Sequence, residues 1–206
     1  MPRPRSLTPA QLASAALAVI DRDGLPALTM RAVAAELGTS PMALYRYVAD
    51  RDELEALVVE EVLSTVDTAP AADGSWPDRV GVMVRRMRLA VGRHPAVVPL
   101  LPVHRHRSPT VLRWTEGVLG VLAEAGFVGT RRVVALRALL AYAVGAIQLE
   151  HLGPLSGPGT TTMAALPVGE FPHLAATAAD ARRVGPDEEF GGGLDVLLRG
   201  LAVDPD

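Results

Sequence analysis

The run Thr39-Ser40-Pro41-Met42-Ala43-Leu44-Tyr45-Arg46-Tyr47-Val48 holds the side chains with the clearest chemistry in this sequence. Ser40-Pro41 is a helix start, and the spacing predicts a short helix from Met42 to Val48. Leu44 and Val48 lie one turn apart and must face a core. At about 3.6 residues per turn, Met42 and Arg46 then point outward, with Tyr45 and Tyr47 on the two flanks. The chemistry of such a face is recognition, with no bond made or broken. Arg46 can take both O6 and N7 of a guanine, and Ala43 or Met42 can touch a thymine methyl. Tyrosine hydroxyls on the flanks suit the phosphates of the groove walls. The alternative is a plain helical hairpin with the tyrosines as half-buried packing residues.

Other chemistries find little support. There is no cysteine, which removes disulfides, thiolate zinc sites and cysteine nucleophiles together. His104 and His106, flanked by Arg105 and Arg107, lack the third and fourth ligands that zinc needs, so no metal and no cofactor is expected. His94 before Pro95 reads as a helix-end residue, and His151 as a cap for the helix that precedes it. No Gly-x-Ser-x-Gly elbow, phosphate-cradling glycine loop or His-Glu-x-x-His is present. Gly191-Gly192-Gly193 has no basic residue at the spacing a phosphate loop requires. The chain is not expected to be an enzyme.

The 206 residues are 49% hydrophobic but only 4% aromatic, so the core must be built from Ala, Val and Leu. The net charge of -3 argues at first against nucleic acid, yet distribution matters more than total. Up to Arg51, six arginines (Arg3, Arg5, Arg22, Arg31, Arg46, Arg51) face the four acids Asp21, Asp23, Glu36 and Asp50. Asp52, Glu53, Glu55, Glu60 and Glu61 follow in one stretch, giving a mildly basic tip on an acidic body. No apolar run approaches the ~20 residues of a membrane span. The apolar stretch from Ala13 to Ile20 is closed by Asp21-Arg22-Asp23, where a signal peptide would carry small residues. No membrane association and a cytoplasmic location are expected.

The elements that position the Met42–Val48 face are all helical. Thr8-Pro9-Ala10-Gln11 is a capping box with Pro at the first helical position. Leu12, Ala16, Val19 and Ile20 follow as one apolar stripe, stopped by Asp23-Gly24. Thr29 can cap a second helix that turns Val33, Ala34 and Leu37 inward and ends at Gly38. Asp50 with Glu53 starts a fourth helix to about Val66, with Leu54, Leu57, Val58, Val62 and Val66 as its buried side. Residues 67–77 read as a linker. Helical patterns resume at 77–92, 95–101, 108–125, 130–152, 171–184 and 187–202, with 153–169 as a long loop. No strand alternation persists. The second and third helices, joined by Gly38-Thr39-Ser40, form a helix-turn-helix arrangement.

Residues 8–60 resemble the tetracycline-repressor (TetR) family of regulators. The matching residues include Gly24-Leu25, Leu28-Thr29-Met30-Arg31, Val33-Ala34, Leu37-Gly38, Ser40 through Val48, and Arg51-Asp52-Glu53-Leu54. The resemblance implies an all-α fold: a three-helix DNA-binding domain (1–50), a connecting helix (50–66), and a helical bundle (67–206) for ligand binding and dimerisation. It implies backbone contacts by Thr29, Arg31, Tyr45, Tyr47 and Arg51, and base reading by residues 40–43 and 46, with Thr39 at their edge. The partners implied are a pseudo-palindromic operator and a small-molecule effector, repression being released by the effector. His94-Pro95, the long helix ending near Glu150 and the last helix are similar to the tetracycline-repressor subgroup, a resemblance that leaves open a divalent ion carried in with a chelating effector.

From its own residues, the helix at 130–152 is apolar almost all round and must be covered on more than one side. Phe190, Leu194, Leu197, Leu198 and Leu201 form a stripe in the last helix, and the glycines before it permit close approach. Together these helices suggest a homodimer interface; the alternative is packing within one chain. Met83, Met87, Leu100, His104, Trp114, Leu119 and Tyr142 are candidate lining for an effector cavity, with Trp114 alternatively facing a surface groove. Arg137 could meet a ligand carboxylate or a structural acid. The rival readings are a helical-bundle ligand carrier or enzyme without a DNA-binding role, and a helix-turn-helix of another lineage that binds partners.

Overall fold

The computed structural model describes residues 7–202, and Arg3 and Arg5 lie outside the described residues. Eleven α-helices and no strand occur among the described residues. They fall into two compact units. The first takes residues up to Ala69 together with Arg85–Val118; the second takes Pro70–Val84 and the residues from Leu119 onward.

In the first unit, α1 (Pro9–Asp23) starts in the expected capping box. The Gln11 amide donates to Thr8 Oγ1 at 3.2 Å, and the Thr8 amide to Gln11 Oε1 at 3.0 Å. Leu12, Ala16, Val19 and Ile20 are fully buried, and Gly24 ends the helix at φ +82°, where a Cβ would be strained. Helix α2 (Met30–Glu36) is capped by Thr29, whose Oγ1 accepts from the Ala32 amide at 3.0 Å. Gly38, at φ +62°, turns the chain into α3 (Pro41–Leu44). The third helix is shorter than the spacing suggests. After Leu44 the Tyr47 amide bonds to the Leu44 carbonyl at 2.8 Å, a tighter turn that still carries Val48 back to the core.

Helix α4 (Arg51–Leu63) begins with a reciprocal cap. The Glu53 amide donates to Asp50 Oδ1 at 2.9 Å, and the Ala49 amide to Glu53 Oε2 at 2.6 Å. It stops at Leu63, short of Val66, as the Ser64 hydroxyl turns back on the Glu61 carbonyl at 3.0 Å. Its buried face is Leu54, Val58, Val59, Val62 and Leu63, with Leu57 and Val66 only half-buried. This face packs on α1. The later half of α5 (Trp76–Val91), a 3₁₀ segment at Pro95–Leu100, α6 (Leu101–His104) and the start of α7 (Pro109–Glu124) complete the unit. His94 is a helix-end residue bonded through Nδ1 to Asp21 at 2.8 Å.

In the second unit, Trp76 stacks edge-on against Phe127 with ring centroids 5.0 Å apart, and Arg131 lies 4.3 Å above the Phe127 ring. Arg131 also reaches the Leu201 carbonyl at 3.3 Å, placing a cation at the C-terminal end of α11 (Pro186–Ala202). Helix α8 (Gly129–Leu152) buries only the narrow stripe Ala135, Leu139, Ala143 and Ile147. Val133, Val134, Arg137 and Ala141 lie exposed on the opposite side. Contrary to the sequence expectation, this helix is long and apolar enough, by length and composition alone, to cross a membrane, and 22% of its most apolar window is buried within the chain. The stretch expected as a structureless loop instead contains α9 (Pro158–Ala164), opened by Pro158 after Gly157 and packed on α10 (Pro172–Ala181). Its Thr-rich composition concealed a helix whose stability comes from that packing.

Candidate nucleic-acid interface

Alpha-helix α3 and its following turn present one continuous exposed face. Leu44 and Val48 are 0% and 2% exposed, which anchors the element. Met42 is 74% exposed and Tyr45 49%, Arg46 is exposed, and Ala43 and Tyr47 are half-buried at the edges. An isolated methionine this exposed, beside an arginine, is a surface suited to apolar contact as well as hydrogen bonding. Thr29, Arg31 and Ser40 are exposed around it, and Thr39 is half-buried. Thr29 accepts the Ala32 amide in the α2 cap, and its hydroxyl proton is left to donate outward.

The arginines of the first unit divide into engaged and disengaged ones. Arg22 bonds to Asp23 at 3.0 Å and to Glu36 at 2.9 Å, tying α1 to α2. Arg31 and Arg46 form no hydrogen bond or ion pair with any described residue. Arg51, with 46% of its side chain exposed, bonds through Nε to Glu55 Oε1 at 2.7 Å and through Nη2 to the Leu25 carbonyl at 3.4 Å. The acids near this face are each occupied: Asp50 and Glu53 by the α4 cap, Asp52 by Arg107 at 2.5 Å. Arg31 and Arg46 thus keep their guanidinium donors available to a ligand, and no carboxylate of the described residues is paired with either.

A web of polar contacts along α4 was not apparent in the sequence. His104 bonds to Glu55 at 3.1 Å. Glu60 accepts from the Ser108 hydroxyl at 2.5 Å, the Thr110 hydroxyl at 2.7 Å and the Thr110 amide at 3.2 Å. Ser108 meanwhile caps α7 by accepting from the Val111 amide at 3.1 Å. These partners are some fifty residues apart, beyond any periodicity; the only hint is that α4 carries acids where 104–110 carries His, Arg, Ser and Thr.

The eight residues expected to line a cavity are not alike. Met83, Leu100, His104 and Trp114 are buried, so Trp114 faces no surface groove. Met87, Leu119 and Tyr142 are half-buried. The Tyr142 hydroxyl is already committed, donating to the Phe190 carbonyl at 2.6 Å. Arg137 departs from the expectation: it stands on the exposed side of α8, opposite the buried stripe, because a guanidinium in that stripe would lose its hydration. No cluster of three metal-ligating side chains occurs among the described residues. The expected dimer stripe is also redistributed. Phe190, Leu194 and Leu198 are 3%, 0% and 4% exposed within the chain itself, while Leu197 and Leu201 are half-buried and Val196 is exposed.

Residues 12–56 match the family described as bacterial regulatory proteins, tetR family, and residues 69–204 match the tetracyclin repressor-like C-terminal domain. The HTH-type transcriptional repressor DrrR1 of Streptomyces coeruleorubidus is 34% identical over 98% of this chain and 79% of its own length. Among solved structures, one from Streptomyces coelicolor A3(2), described as a possible TetR family transcriptional regulator, is 31% identical with a TM-score of 0.83, covering 94% of this chain and 98% of that one. The S. coelicolor TetR family protein ActR in complex with (S)-DNPA is 26% identical with a TM-score of 0.82, over 96% of this chain and 98% of its own. With both of its parts matched and a helix-turn-helix face built and exposed as such a protein requires, this chain belongs to the tetR family of bacterial regulatory proteins and is a DNA-binding transcriptional regulator.

Proposed function

We propose that the chain is a repressor that binds a pseudo-palindromic operator as a homodimer and leaves it when a small-molecule effector binds. The observation that carries this reading is the exposed Met42–Tyr45–Arg46 face held rigidly over buried Leu44 and Val48. Arg46 reads a guanine edge and Met42 or Ala43 a thymine methyl. Thr29, Arg31, Thr39, Ser40, Tyr45, Tyr47 and Arg51 hold phosphates and fix the register, with Pro41 setting the start of the helix. Residues 1–50 bind DNA, 50–66 connect, and 67–206 bind the effector and the second copy.

The case for a second copy rests on α8. Its outward side carries Val133, Val134 and Leu149, each more than half exposed, next to the small Ala141. On α11, which packs on α8, Val196 is also exposed and Leu197 and Leu201 are half-buried. Two copies would place two recognition faces on half-sites about 34 Å apart. The case for an effector rests on likeness, as ActR has been solved with (S)-DNPA and with actinorhodin. Met87, Leu100 and Trp114, all of the first unit, are candidate lining for it. Titrating a releasing compound against the free protein and the operator complex tests this: operator DNA must weaken the compound's binding by the factor by which the compound weakens DNA binding. Unchanged affinity on the operator would reject effector-driven release.

A further inference from the structure

We propose that His104 is a positioning residue for DNA binding, acting on Arg51 through the carboxylate of Glu55 that the two share. This rests on the reading of Arg51 as a phosphate contact. Glu55 stands one turn after Arg51 on α4, and its two oxygens serve different partners. Oε1 accepts from Arg51 Nε at 2.7 Å, and Oε2 accepts from His104 Nε2 at 3.1 Å. Because a carboxylate only accepts, His104 must donate through Nε2. The three groups grade from interior to surface: the side chain of His104 is 1% exposed, Glu55 16% and Arg51 46%.

The consequence is electrostatic. A negative charge 2.7 Å from Arg51 competes directly with a DNA phosphate for the guanidinium. A buried donor on the far oxygen draws part of that charge away and holds the carboxylate at a fixed distance from Arg51. The second carboxylate near His104, Asp52 at 4.0 Å from Nδ1, is occupied by Arg107 and does not replace Glu55. Withdrawing the His104 donor therefore leaves Glu55 to Arg51 alone and reduces what Arg51 offers to phosphate. A His104 that merely pins α6 to α4 would have no such dependence on Glu55.

The test measures binding of the full chain to a duplex from upstream of its own gene by fluorescence anisotropy, between about 50 and 200 mM salt. Glu55→Gln keeps the shape but removes the charge and is expected to steepen the log–log salt slope, while His104→Phe flattens it; the two changes together span about 0.9 per bound subunit, equivalent to about 3.5-fold over that range. His104→Gln, which retains a donor, restores the wild-type slope. In the Glu55→Gln background His104→Phe has no further effect, and in an Arg51→Gln background neither change alters the slope. Equal flattening by His104→Phe with and without the Glu55 charge would overturn the proposal, as would unchanged slopes in the well-folded Glu55→Gln variant. A wild-type chain that shows no salt-dependent binding to any duplex would instead bring down the DNA-binding role of Arg51, and this inference with it.

Discussion

Gly193→Ala should destabilise the protein, while the same change at the adjacent Gly192 should stabilise it. All three glycines of 191–193 lie inside α11, where Gly costs about 1 kcal/mol relative to Ala. An added Cβ at Gly191 or Gly192 meets nothing within 4 Å, so substitution there returns that amount. At Gly193 a Cβ would lie 2.5 Å from the Tyr142 hydroxyl and 2.9 Å from its Cε2, a separation that real contacts do not reach. Tyr142 must then move, giving up its 2.6 Å bond to the Phe190 carbonyl and its packing on the Phe190 ring, 5.4 Å between centroids. The hydrogen bond is worth about 1 kcal/mol, the ring pair about 1 kcal/mol, and the forced displacement about 1–3 kcal/mol. Against the helix gain of about 1 kcal/mol, the net loss is about 2–4 kcal/mol. Urea unfolding followed by circular dichroism measures it as a lowered midpoint at constant slope. Tyr142→Phe removes the shortest contact and should lessen the cost of Gly193→Ala. Equal stabilisation by Gly192→Ala and Gly193→Ala would refute the packing of Tyr142 of α8 against Gly193 of α11.

Further expectations follow from single features. Glu60→Ala strands the buried donors of Ser108 and Thr110 and should cost roughly 2–4 kcal/mol in the same unfolding assay. Thr8→Ala should cost about 1 kcal/mol by loss of the α1 cap, with no change in DNA affinity once the protein is folded. Arg46→Ala should lose about 1–3 kcal/mol of discrimination at one operator position, whereas Tyr47→Phe should weaken all sequences alike, as a panel of single-base operator variants would show. Val134→Glu should shift sedimentation from dimer to folded monomer; Leu198→Glu would only unfold the chain, since Leu198 is already in its core.

Local signals carried most of the fold. The capping box at Thr8, the Asp50 cap, the stops at Gly24 and Gly38, and the opposed faces of Leu44/Val48 and Met42/Arg46 all follow from bonding and periodicity within one turn, although Glu53 closes on the Ala49 amide and not on that of Asp50. Nonlocal competition decided the remainder. Helix α9 was hidden because Gly157, Pro158 and the threonines read as breakers until packing on α10 outweighs them. The apolar stripe of α11 suggested a partner copy, yet Phe190, Leu194 and Leu198 are taken up by the chain's own core, and a sequence cannot say which side reaches such a stripe first. Arg137 showed only that a charge lay in an apolar helix; the buried stripe at Ala135, Leu139, Ala143 and Ile147 shows which way it points. The α4 carboxylates looked like a solvated acidic face, yet Asp52, Glu55 and Glu60 are held by residues 104–110.

The central claim is sequence-specific operator binding by the Met42–Tyr45–Arg46 face. It is tested most directly by comparing affinity for the duplex upstream of the protein's own gene with affinity for a shuffled duplex of equal length and composition, at one fixed salt concentration. The account predicts preference for the native duplex by about 10³-fold or more, falling sharply for Arg46→Ala. Equal affinity for the two duplexes, or a preference untouched by Arg46→Ala, would contradict it.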